Sequence, residues 1–184
     1  MQANIAIGLI ECASIAQGIQ ASDVMCKMAQ VDLLKAGVIA RGKYTILIAG
    51  PVGEVESSLR AGVESVGKTL IHQFIIRNVH EQVLPAMEKA RPVEKLDAVG
   101  VIETKDAIAA VHAADVAAKA AKVHLIEVKA SAGGGKGYVT MTGEVGAVRT
   151  AVGAGIAVVP EGMLVNHIVI PQPDVQLLKT LGRA

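Results

Sequence analysis

Two glycine-containing segments that run into lysine hold the most suggestive chemistry of this chain. Gly37-Val38-Ile39-Ala40-Arg41-Gly42-Lys43 has the spacing of a phosphate-binding loop. Such a loop needs a Ser or Thr after the lysine to hold magnesium, and a helix whose N-terminus faces the phosphates. Tyr44 stands in the first place and a strand-like run to Ala49 in the second, so nucleotide binding is not expected. Ala132-Gly133-Gly134-Gly135-Lys136-Gly137 lies between two further strand-like runs. It reads either as a flexible hairpin or as a place where backbones approach closely, around a ligand or a symmetry axis.

The other reactive residue types are scattered. His72, His80, His112, His124 and His167 show no paired-ligand spacing, and Cys12 and Cys26 form no Cys-x-x-Cys pair, so no metal or cofactor is expected. Ser14, Cys26 and His112 offer no triad context. Glu11 and Glu103 end equivalent strands. Paired carboxylates could do acid–base work; repetition says more simply that each holds local structure. Lys27 and Lys119 are equivalent too, and read as a solvated helix face or as a repeated edge contact.

The elements that position these residues come in two copies. Ala6-Ile7-Gly8-Leu9-Ile10-Glu11 lies over Ala98-Val99-Gly100-Val101-Ile102-Glu103, and Ala21-Ser22-Asp23-Val24 over Ala113-Ala114-Asp115-Val116. The offset grows by one residue before Gly42-Lys43, which match Gly135-Lys136, and by one more before Leu70 and Ile76, which match Leu164 and Ile170. Loops absorb such insertions. Two domains of one fold are expected, residues 1–88 and 97–184, joined by a linker, 89–96, whose charges and Pro92 read as exposed.

Within the first copy, residues 5–11, Val31–Ile39, Tyr44–Ala49 and Leu70–Ile76 read as strands. A helix follows Ser14 as N-cap, with Ile15, Ile19 and Met25 near helical spacing. A second helix opens with Pro51 at its first position and keeps its period through Val55, Leu59 and Val66. Val79–Met87 reads as a short closing helix. The fold class is α/β or α+β, about four strands and two or three helices per copy.

Composition narrows the function. Of 184 residues 52% are hydrophobic, but aromatics make only 2%, and the formal net charge is +1. That excludes disorder, and it leaves a single-strand nucleic-acid binder without stacking platforms or a basic groove. No uncharged apolar run reaches the roughly 18 residues of a membrane span. No basic residue precedes the first apolar stretch, so no signal peptide is expected. Two cysteines suit a reduced, cytosolic compartment. Small helix side chains leave few large anchors, which favours oligomers.

Several segments together resemble the shell proteins of bacterial microcompartments. Ala98–Lys105 is similar to that family's opening strand, Ala113–Ala121 to its first helix, Gly143–Val148 to the start of its second helix, and Val169–Pro173 to its closing strand. The first copy matches more loosely, and the resemblance covers nearly the whole chain. Two copies in non-permuted order resemble the tandem-domain, trimer-forming class, and within it the single-layered members from propanediol-utilisation compartments.

The resemblance implies a structural protein, not an enzyme. Three chains would form a flat pseudohexameric homotrimer that tiles shell facets beside other shell proteins, in the cytoplasm, away from membrane and nucleic acid. It implies a pore on the threefold axis, lined by Ala40, Arg41 and Gly42 and by Gly133, Gly134 and Gly135, passing small polar or anionic metabolites. The family's edge lysine falls on Lys27 and Lys119. Its edge arginine is replaced by Asn78 and Gln172. Some tandem members carry a pore-loop cysteine that ligates an iron–sulfur cluster; Ala40 stands there, so no cluster and no electron conduction are expected. A small-ligand-binding trimeric sensor is the alternative of another class.

Overall fold

The computed structural model describes residues 5–132 and 136–181. The chain divides into two compact units, Met1–Val79 and His80–Ala184. In the first, β1 (Ile5–Cys12), α1 (Ile15–Met28), β2 (Asp32–Ile39), β3 (Lys43–Pro51), α2 (Val52–Val66) and β4 (Leu70–Ile76) follow in order. The sheet is antiparallel with order β2-β3-β1-β4. β1 and β3 are buried along almost their whole length, which is why both read as unbroken apolar runs. Ala6, Ile10, Cys12, Ile46 and Ile48 of the strands meet Ala21, Met25, Val55, Leu59 and Val66 of the two helices in one core.

The second unit repeats this plan. It begins with α3 (Val83–Glu88), then β5 (Ala98–Thr104), α4 (Ala107–Ala120), β6 (His124–Ala132), β7 (Lys136–Gly143), α5 (Val145–Ala157), β8 (Leu164–Ile170) and the short α6 (Leu178–Leu181). Its sheet order, β6-β7-β5-β8, matches the first sheet strand for strand.

Local rules account for the element ends. Ser14, in extended conformation, accepts from the Gln17 N–H at 3.3 Å and caps α1; Asp106 caps α4 the same way, accepting from Ala109 at 2.7 Å. Pro51 departs from its expected place. With ψ at 144° it closes β3 as the N-cap of α2, one residue before the helix proper. Its counterpart Glu144 takes the capping role that proline lacks, accepting from the Gly146 and Ala147 N–H groups.

The larger departure concerns the stretch expected to close the first domain and link it to the second. The helix covers 83–88 rather than 79–87, and the units divide at Val79/His80 rather than at 88. α3 packs on β6 and α4, with Val83 and Ala86 fully buried. In the region expected as linker, the Arg91 N–H donates to the Ile126 carbonyl at 2.7 Å, so it too is fastened to the second unit.

Candidate functional site

The two lysines of the glycine segments meet the two repeated glutamates. Lys43 Nζ donates to Glu11 Oε1 at 2.7 Å, and Lys136 Nζ to Glu103 Oε1 at 2.7 Å. Register explains the meeting: Cys12 faces Tyr44 across β1 and β3, and Thr104 faces Gly137 across β5 and β7. The end of one strand therefore lies beside the first residue of its neighbour. The two bonds are equally short, but Glu11 is almost fully buried, so its pair with Lys43 is the better shielded from solvent. Each pair ties the foot of a glycine turn to the sheet. Sequence reasoning found the four residues separately and missed that they are partners; their shared repetition was the available signal.

The turn itself is Ala40-Arg41-Gly42, between β2 and β3. Arg41 adopts φ 63°, ψ 30° and Gly42 φ 71°, two successive left-handed residues that reverse the chain. Such a conformation costs arginine about 1 kcal/mol or more and costs glycine nothing. Arg41 and Gly42 are exposed. β3 starts at Lys43 and Tyr44 is buried, so the segment has neither the helix nor the free lysine that phosphate binding needs. Gly133, Gly134 and Gly135 lie outside the described residues; Lys136 beside them opens β7.

The other expected residues sit at the opposite end of each unit. α1 starts beside Cys12, at the turn end, and runs 14 residues away from it, about 20 Å, before Lys27. Asn78 follows β4, whose Ile76 pairs with Ile7 near the start of β1. Lys119 ends α4, and Gln172 follows β8, whose Ile170 pairs with Val99. Lys27, Asn78, Lys119 and Gln172 are all exposed. Lys27 bonds Asp23 at 2.6 Å and Lys119 bonds Asp115 at 2.6 Å, one helical turn back in each case. Asp23 is open to solvent, whereas Asp115 is buried and also accepts the His80 N–H at 2.8 Å.

The Cys12 thiol is buried and donates to the Ser14 carbonyl, while Cys26 is exposed on α1. Burial and a 2.5 Å bond to Glu127 push the Tyr138 hydroxyl up to about 12. Burial, then the charge of Arg91, hold His124 below its ordinary 6.5, and its Nε2 is buried without a hydrogen-bond partner. Among the described residues no three His, Cys, Asp or Glu side chains gather as metal ligands, and no helix is long and apolar enough to cross a membrane.

Known proteins are similar to this chain in sequence and fold. The BMC domain model matches residues 6–79 and again 98–173. Bacterial microcompartment shell protein PduT of Citrobacter freundii is 39% identical over 170 residues, spanning 91% of this chain and 92% of that protein. A crystal structure of a microcompartments protein from Desulfitobacterium hafniense DCB superposes with a TM-score of 0.90 at 45% identity, covering 96% of this chain and 99% of that one. Carboxysome shell protein CsoS1C of Halothiobacillus neapolitanus is 37% identical over 90 residues, 92% of its own length but 47% of this chain. Half of this chain thus corresponds to a whole one-domain relative. The chain belongs to the BMC-domain family of bacterial microcompartment shell proteins and carries two of these domains in tandem.

Proposed function

We propose that this chain is a structural, transport-permitting tile of a microcompartment shell. Three copies form a flat pseudohexamer of six units, with the β2–β3 and β6–β7 turns around a central pore and the ends of α1 and α4 at the rim. The observation that carries the reading is the placement of the two residue sets at opposite ends of the first unit. Arg41 lies at one end, and Lys27 and Asn78 at the other.

The chemistry of the pore follows from Arg41. Three guanidinium groups around one axis form a ring of permanent positive charge that attracts anions and repels cations. The Lys43 ammonium adds less, because Glu11 already neutralises it. Gly133, Gly134 and Gly135 supply the second turn of the pore lining. With both turn lysines engaged by carboxylates, the role is passage and packing rather than catalysis. Partners are copies of this chain and other shell proteins, with small anionic or polar metabolites as cargo.

Two measurements test this. Light scattering after size exclusion, read by refractive index, gives a mass near three times 19.0 kDa if the tile forms. In reconstituted shells, Arg41→Ala slows anion passage and leaves neutral solutes unaffected; equal anion flux would sink the pore assignment.

A further inference from the structure

The internal repeat shows a surface on the first unit that is covered on the second. On the second unit, His80–Glu88 lies along β6 and α4. The His80 N–H donates to Asp115 at 2.8 Å. The Gln82 side chain clamps the start of β6: its amide donates to the Val123 carbonyl at 3.0 Å and accepts from the Leu125 N–H at 2.9 Å. Near this segment, Val111, Leu125 and Ile126 are fully buried.

Their counterparts on the first unit are open. Ile19, Leu33 and Leu34 are 57%, 42% and 46% exposed. Asp23, the counterpart of Asp115, is open as well. The backbone is already in the same shape, since the Val31 N–H donates to Ala29 as the Val123 N–H donates to Ala121. Three exposed large apolar side chains at positions whose counterparts are covered by a packed segment mark an interaction surface.

The chain also carries a second copy of the segment that fits this surface. Aligned through β4 and β8, Asp174 falls on His80, Gln176 on Gln82 and Leu177 on the buried Val83. The turn is the same in both places. The Val83 N–H donates to the His80 carbonyl at 2.9 Å, and the Leu177 N–H to the Asp174 carbonyl at 2.9 Å. The Gln82 N–H donates to the His80 side chain, and the Gln176 N–H to the Asp174 carboxylate at 2.8 Å. Gln176 is exposed and Val175 is 77% exposed.

We infer that Asp174–Leu181 of one copy docks on β2 and α1 of the first unit of a second copy. Gln176 clamps the Val31 carbonyl and Leu33 N–H there, Leu177 covers Leu33 and Leu34, and the Asp174 N–H meets Asp23. Such a head-to-tail contact is heterologous, and it closes into a ring when its rotation permits. The inference rests on the trimer reading and names the joint that holds the trimer.

The test compares the full chain with a chain ending at Pro173, and with Leu177→Asp and Leu34→Asp, by light scattering over a dilution series. Leu34 and residues 174–176 are exposed and Leu177 is half-buried, and circular dichroism checks that each variant folds. The expected result is a trimer for the full chain, a monomer for the truncated one, and dissociation raised roughly 30-fold or more by each aspartate. Hydrogen exchange at Leu33 and Leu34 should be slow in the full chain and fast after truncation. A truncated chain that stays trimeric overturns the joint and leaves the trimer reading intact. A monomeric full chain overturns the trimer reading and the joint with it.

Discussion

Glu11 and Lys43 stand 32 residues apart in the chain and 2.7 Å apart in the fold, and Glu103 and Lys136 repeat the pair across 33. The repeats differ in burial. Glu11 is almost closed off, whereas Glu103 and Lys136 are substantially open to solvent. An open pair is worth at most about 1 kcal/mol, but a buried acceptor that loses its charge leaves a poorly matched polar group. Glu11→Gln should therefore cost roughly 1–2 kcal/mol in urea unfolding, and Glu103→Gln about 0.5 kcal/mol or less. His124 makes a second residue-level prediction. Its pKa is lowered, so the unfolded chain binds a proton that the folded chain refuses. Its contribution is present above about pH 6.5 and is lost as pH falls through the folded pKa. The melting temperature should drop between pH 7 and pH 5, and drop less in His124→Gln. Repetition marked the four charged residues, but their pairing, like the orphaned imidazole, depends on which strands lie side by side.

At the scale of elements the two copies solve one packing problem in opposite ways. A side chain on Gly18 of α1 would strike the Tyr44 ring at 2.4 Å, while one on Gly137 of β7 would strike Ala110 of α4 at 2.6 Å. Gly18 corresponds to Ala110 and Tyr44 to Gly137, so helix and strand exchange the small residue. Gly18→Ala should destabilise by about 1–3 kcal/mol. In a double-mutant cycle Tyr44→Ala should cost less in the Gly18→Ala background than alone. Most elements were legible in advance: the strands are short apolar runs, the helices keep their period, and the repeat checks each against its copy. α3 packs on the second unit although the residues from 79 onward follow directly on β4, which makes them look in sequence like the close of the first domain. Which sheet buries Val83 and Ala86 is a property of packing, and no local pattern announces it.

For the whole molecule, the pore and rim assignments make separable predictions. Lys27 bonds an exposed carboxylate, so Lys27→Ala should change stability by less than about 1 kcal/mol. Electron microscopy of the same variant should show loss of extended arrays while the trimer persists. Lys119→Ala differs, because it strips the ammonium from a buried Asp115. It should lower the melting temperature as well as array formation. The candidate site was legible as a set of positions through family resemblance, and the opposite-end layout emerged only from strand register.

The attachment of His80–Glu88 to β6 has a consequence for how the chain is made. Translation delivers the first sheet complete before the second begins, so β1 to β4 find one another with no rival copy yet present. The segment after them then waits, its Val83 and Ala86 uncovered, until the ribosome has added residues through Ala132. At about 5–20 residues per second that interval is roughly 2 to 9 s. Two sheets so alike could exchange strands if they formed together. Synthesis in sequence favours each set of strands pairing with its own, and the segment after β4 then settles on the later sheet.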